Sequence, residues 1–174
     1  MSGVSGMRWV IMGVSGCGKS TIGQALAAHY GVAFVEGDAF HPAANVAKMS
    51  AGLALDDADR AGWLLALQAE LRAASAGGVG LVVSCSSLKR RYRDVLRAGD
   101  PALRFVHLDG ARALIATRMQ ARREHYMPPS LLDSQFRDLE PLQTDEAGIT
   151  LAITAPPHDL VQLIVASVPL TSRG

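Results

Sequence analysis

Short apolar runs rich in β-branched residues alternate along this chain with longer segments whose apolar positions recur at helical spacing. That alternation is expected of a parallel sheet whose strands are buried on both faces and covered by helices. The runs predict strands at Arg8–Gly13, Ala33–Glu36, Gly80–Ser84, Arg104–Leu108 and Ile149–Thr154. Between them the period predicts helices over Lys19–Tyr30, Ala44–Ser50, Asp57–Ser75, Lys89–Arg97, Ala111–Arg123, Ser130–Leu139 and His158–Val168. Leu64, Leu67 and Leu71 with Trp63 form the clearest stripe, spaced for packing on a core rather than for binding. Gly77-Gly78 separates helix from strand, while Pro128-Pro129 and Pro156-Pro157 predict irregular connections. With no internal repeat and no dividing linker, residues 1–174 read as a single α/β domain.

Composition narrows the partners. The 174 residues are 49% hydrophobic and 19% charged, ample for one core and unlike a disordered chain. Seventeen basic against sixteen acidic residues leave a net charge of +1, so no broad cationic field is present to hold nucleic acid. Cys17 and Cys85 stand apart without C-x-x-C spacing, which argues against a disulfide framework or a thiolate zinc site and fits a reducing cytoplasm. No apolar run approaches the roughly 18 residues that span a bilayer. Met1–Met7 lacks the charged and apolar blocks of a signal peptide, so a soluble, unexported protein is expected, with frayed ends at Met1–Met7 and Thr171–Gly174.

The strongest chemical signal is Gly13-Val14-Ser15-Gly16-Cys17-Gly18-Lys19-Ser20, followed by Thr21. It fits G-x-x-x-x-G-K-[ST] and lies where a strand gives way to a helix, the context a phosphate-binding loop requires. Glycines there let successive N–H groups point at a phosphate, and the helix adds its positive N-terminal dipole. Lys19 is expected to bridge the β- and γ-phosphates and Ser20 to ligate Mg²⁺. Cys17 reads as a small residue tolerated in the loop, without assigned chemistry.

Such a cradle serves GTPases, motor ATPases and small-molecule kinases alike. An N-K-x-D element for guanine is missing, since Asn45 is followed by Val46, and Asp59-Arg60-Ala61-Gly62 falls in a helical stretch. The run Leu81-Val82-Val83 ends in Ser84-Cys85-Ser86-Ser87 without the carboxylate of a motor ATPase. A kinase remains, and it needs an acid near the end of the second strand. Glu36-Gly37-Asp38-Ala39-Phe40-His41-Pro42 supplies one: Asp38 to orient the attacking hydroxyl and accept its proton, Glu36 to hold a metal-bound water. His41 reads equally well as a ligand group or a plain loop histidine. Arg118 and Arg122 share one helical face, so that one guanidinium can stack on adenine while the other meets the phosphates. With Arg123 and the following residues they predict a lid over approximately 118–130.

Taken together these residues resemble the short P-loop gluconokinases, relatives of shikimate kinases and nucleoside monophosphate kinases. The resemblance runs from Trp9 to about Val168. It rests on Gly13–Thr21, Glu36–Pro42, Asn45 with Lys48-Met49, Leu55–Arg60 leading to Trp63, Ser84–Asp94, His125–Pro128, Leu131–Phe136 and Leu139–Leu142. Glu36 stands where the family more often has Asp, Ser87 where Ala is common, and Tyr126 where Phe is frequent. The resemblance implies a three-layer α/β/α fold of the P-loop NTPase type, with a five-stranded parallel sheet. It implies transfer of phosphate from ATP, with Mg²⁺, to the 6-hydroxyl of D-gluconate in a cytoplasmic homodimer. His41, Arg60, Lys89 and His125 are then the candidates for the acid and its hydroxyls, beside Asp38. Thr154-Ala155-Pro156 is expected to run past the adenine, or else to be an ordinary strand-to-helix turn. A kinase for another small acid such as shikimate, or a nucleotide-sensing module without transfer activity, remains as an alternative.

Overall fold

The computed structural model describes residues 6–121 and 128–169. Five parallel strands, β1 (Arg8–Met12), β2 (Ala33–Glu36), β3 (Leu81–Ser84), β4 (Arg104–Asp109) and β5 (Gly148–Ala152), form one sheet in the order β2-β3-β1-β4-β5. The helices are α1 (Lys19–Tyr30), α2 (Ala43–Ser50), α3 (Asp57–Ala76), α4 (Arg90–Gly99), α5 (Arg112–Ala121), α6 (Pro129–Asp138) and α7 (Pro157–Ala166). Every expected strand and helix is present, with ends moved by at most two residues, as fraying ends allow; the far end of the helix expected over Ala111–Arg123 lies outside the described residues. The described residues also hold a 3-10 turn, Gly37–Phe40, that periodicity did not predict. Four residues are too few to show a repeat.

Both faces of the central strands are buried because helices cover each side, which is why β1 and β3 read as continuous apolar runs. Leu64, Leu67 and Leu71 of α3 are fully buried, as their spacing predicts. Asp56 and Asp59 close a reciprocal capping box that fixes the start of α3. The proline pairs open helices instead of merely interrupting the chain: Pro129 and Pro157 occupy the first turns of α6 and α7, where the missing N–H would have no partner anyway.

Register places the site. Ser84 at the end of β3 pairs with Ile11 on one side and Glu36 on the other, so three strands end level. The loops after β1, β2 and β3 therefore gather at the carboxyl edge of the sheet, where ligands of open α/β sheets bind. No helix among the described residues is long and apolar enough to cross a membrane.

Candidate functional site

The cradle is the turn between β1 and α1. Gly18 stands at φ 101°, a left-handed conformation that a side chain resists, and the chain enters α1 directly after it. The Gly13 N–H donates to the Ser86 carbonyl at 3.2 Å, tying the cradle to the loop after β3. Lys19 folds back over its own loop, with Nζ donating to Gly13 O at 3.1 Å and Val14 O at 3.0 Å. Cys17 is buried, and that burial pushes its thiol up despite the neighbouring Lys19, so it remains a protonated packing group.

Below the cradle, Glu36 is clamped by two hydroxyls. Ser84 Oγ donates to its Oε1 at 2.6 Å and Ser20 Oγ donates to its Oε2. The longer glutamate side chain thus reaches Ser20 from β2 without difficulty. Ser20 and Glu36 together present hard oxygen donors beside the phosphate loop, the set a magnesium ion takes along with phosphates and waters. No group of three His, Cys, Asp or Glu side chains forms a metal cage among the described residues, and a cation carried by phosphates needs none.

Across the cleft, the 3-10 turn presents Asp38. Its preceding residue, Gly37, lies so close to the Ser84 carbonyl that a Cβ there would collide with backbone. The Gly37 N–H donates to Ser84 Oγ at 3.2 Å and its carbonyl accepts from Trp63 Nε1 at 2.8 Å. These contacts fix the turn and leave the Asp38 carboxylate free, 73% exposed, with Oδ1 4.0 Å from His41 Nε2. The His41 ring stacks on Trp63 at 4.1 Å between centroids and 17° between planes. Burial holds the His41 pKa below the ordinary histidine value, against the pull of Asp38 and with a smaller push from Arg60. Trp63 therefore belongs to the core and to the cleft wall at once, a double role that the packing stripe alone did not predict.

Arg60 is buried beneath this wall and also lines the cleft. Its Nη1 donates to Tyr92 Oη and to Asp138 Oδ2, both at 3.0 Å. Tyr92 in turn donates to Asp57 Oδ1, which also accepts from Lys89 Nζ at 3.0 Å. Lys89 is thus paired with Asp57 behind Arg60 and is not part of the cleft lining. Arg118 Nη2 donates to the Ile153 carbonyl at 2.9 Å, which sets it against the loop carrying half-buried Ala155. Arg122, Arg123 and His125 lie outside the described residues, as does the middle of the expected lid, residues 122–127.

Between the two halves lies a cleft of about 260 Å³. Ser15 and Lys19 face it from the cradle, and Asp38, His41, Arg60 and Trp63 from the opposite wall. Met49, Leu55 and Leu131 add apolar lining, and Gln135 of α6 reaches across it to the cradle. A phosphate loop, an exposed carboxylate and a buried guanidinium sharing one cleft can hold a phosphate donor against an anionic acceptor that bears a hydroxyl.

The family model for shikimate kinase matches residues 15–152. A gluconokinase of Gluconobacter oxydans (strain 621H) is 46% identical over 156 residues, covering 90% of this chain and 88% of that protein. The chain belongs to the gluconokinase family. The thermosensitive gluconokinase of Escherichia coli (strain K12) is 46% identical over 147 residues, 84% of this chain and 78% of that one. The solved structure of a gluconokinase from Sinorhizobium meliloti 1021 matches with a TM-score of 0.85 at 41% identity, over 94% of this chain and 91% of that chain.

Within this gluconokinase-family cleft, sequence reasoning missed three contributors. Gln135 lies in the Leu131–Phe136 segment, but its contact with Ser15 spans 120 positions and leaves no local signal. Ser84 reads as a strand end until register sets it between Ile11 and Glu36. Asn45 stands out as the chain's one asparagine, yet the bond to the Asp59 carbonyl of α3 that orients its amide toward His41 spans 14 positions.

Proposed function

We propose that this chain transfers the terminal phosphoryl group of ATP to the 6-hydroxyl of D-gluconate, giving 6-phospho-D-gluconate and ADP. Membership of the gluconokinase family supports the acceptor, and the juxtaposition of cradle, Asp38 and Arg60 in one cleft is the observation that carries the reading.

In this reading the cradle amides and Lys19 hold the phosphate tail, and Lys19 leaves the carbonyls of Gly13 and Val14 to do so. Ser20, with Glu36 acting through a water, would hold magnesium beside the nucleotide, where the ion would neutralise charge on the phosphates. The gluconate 6-oxygen attacks the terminal phosphorus while its proton passes to Asp38. The bond from that phosphorus to the bridging oxygen breaks, and ADP carries the electron pair away. Arg60 faces the gluconate carboxylate, and neutral His41 offers an imidazole N–H to a hydroxyl. Arg118 and Ala155 border the adenine, with Arg122 and His125 closing from the lid. Lys89 acts through Tyr92 and Arg60 rather than by touching the acceptor.

The family resemblance also supports a cytoplasmic homodimer, which sedimentation equilibrium tests by a mass of two chains. The decisive experiment is a coupled ADP-release assay with gluconate, shikimate, related sugar acids and nucleoside monophosphates as acceptors. Gluconate is expected to lead in kcat/KM by about a hundredfold or more over the rest. Equal or better turnover of shikimate overturns the acceptor, and tight ATP binding without transfer to any acceptor favours the sensing module.

A further inference from the structure

Gln135 has no part in the reaction as described above, yet it touches the cradle where the transferred group would lie. Its Oε1 accepts from the Ser15 backbone N–H at 2.7 Å. Among the described residues it is the one side chain that accepts from a backbone amide of Gly13–Ser20. Ser15 and Lys19 are the cradle residues that line the cleft shared with Asp38, His41 and Arg60, so Ser15 stands on the side of the loop where a terminal phosphate would meet an acceptor. A neutral amide oxygen sits there in the manner of a phosphate oxygen.

The helix that carries Gln135 also reaches the acceptor side. Three positions along α6, on the same face, Asp138 accepts from Arg60. One short helix therefore spans both half-sites, and Gln135 itself lines the cleft with Asp38, His41 and Arg60. A phosphate oxygen makes a charge-assisted bond to a backbone N–H and outcompetes a neutral amide for the same donor. Once displaced, the Gln135 amide stays in the cleft with two donors and an acceptor to satisfy, and a polyhydroxy acid is the group that can satisfy them.

We propose that Gln135 is a placeholder for the nucleotide's terminal phosphate, which turns to hydrogen-bond the acceptor when the cradle fills and so links the two half-sites. The proposal rests on the kinase reading above, but its first measurement involves nucleotide alone.

Titration calorimetry with a non-hydrolysable ATP analogue, without acceptor, compares the wild type with Gln135→Ala and Gln135→Glu. Removing the competitor in Gln135→Ala is expected to tighten analogue binding by about two- to tenfold. Gln135→Glu keeps the bond to Ser15 and adds a negative charge, so analogue binding is expected to weaken by more than about tenfold. A merely structural role would shift both variants the same way. With analogue saturating, gluconate binding to Gln135→Ala is expected to weaken by about two- to tenfold. Analogue affinity that is unchanged or weaker in Gln135→Ala overturns the proposal, and so does unchanged gluconate affinity in that variant. Should the wild type bind analogue but not gluconate, the acceptor assignment fails, while the opposed responses of the two variants still decide the placeholder.

Discussion

The Asn45 side-chain amide nitrogen lies 3.2 Å from Nδ1 of His41 and 2.8 Å from the carbonyl oxygen of Asp59. A carbonyl can only accept, so the Asp59 contact fixes which end of the buried amide is NH₂. The same NH₂ then donates to His41, which makes Nδ1 an acceptor and places the imidazole proton on Nε2, the nitrogen that faces Asp38. Substituting Asn45→Ala removes a bond made to the neutral ring, so the His41 pKa should rise toward its ordinary value. The acid limb of kcat/KM for gluconate is expected to move to higher pH in that variant, with kcat/KM at pH 7 lower by about tenfold. A pH–rate profile of both proteins checks it, and superimposable profiles would remove Asn45 from the site.

Placement of Asp38 on an exposed turn, with no ion-pair partner closer than 4.0 Å among the described residues, leaves its carboxylate available to an acceptor. Asp38→Asn should cost on the order of a hundredfold or more in kcat while nucleotide affinity stays close to that of the wild type. Lys19→Ala should abolish turnover. Steady-state kinetics near wild-type values for Asp38→Asn would exclude it as the proton acceptor.

Burial dominates both thiols. It pushes the Cys85 pKa up to about 11 and raises that of Cys17 as well. Neither should react with a disulfide reagent such as DTNB at pH 8 in the native protein, whereas both should titrate within minutes in denaturant. Rapid labelling of one thiol in the native protein would show that the cradle opens.

Arg93 and Glu146 form a fully buried, two-pronged ion pair, with Nε and Nη2 donating at 2.7 and 2.9 Å. Arg93 also donates to the Ser87 carbonyl at 2.9 Å and the Glu140 carbonyl at 3.0 Å, so it fastens the loop after β3 to the segment before β5. Burial would raise the Glu146 pKa, but hydrogen bonds from Arg93, the Gln143 N–H and Arg97 win and hold it near about 2. Arg93→Ala strands a buried carboxylate and should cost about 3 kcal/mol or more of unfolding free energy. The stabilisation that Glu146 gives is complete above the ordinary carboxylate range and is lost as pH falls toward 2. Chemical denaturation at pH 7 tests the variant, and an acid titration followed by circular dichroism tests the pH range.

His107, buried on β4 with Nδ1 unpartnered among the described residues, adds a milder acid sensitivity. Burial lowers its pKa, opposed by Asp109 and aided by Arg93. Below pH 6.5 the unfolded chain therefore binds more protons than the native one, and stability falls as the solution is acidified through that range. His107→Leu should flatten the slope of melting temperature against pH between 7 and 5.

Much of this was written locally. The cradle declares itself because backbone geometry demands glycines at set intervals, and the central strands β1, β3 and β4 because burial on two faces demands unbroken apolar runs. Asp38, His41 and Arg60 were legible as candidates for the same reason, since their segments are short and chemically distinctive. What the sequence withheld depends on distance. Lys89 has the charge to hold an acid, yet Asp57 claims it through a contact spanning 32 positions. Trp63 shows its apolar spacing but not that its ring would support His41. The 3-10 turn that aims Asp38 comes from the close approach of Gly37 to Ser84, which exists only once β2 and β3 are paired.

Because β3 lies between β1 and β2, the loops bearing donor and acceptor groups spring from ribbons two steps apart, a separation of about 10 Å set by interstrand spacing. Reach is thus written into the scaffold. A lineage can recut the rim for another alcohol without moving the points where the phosphoryl group departs and lands.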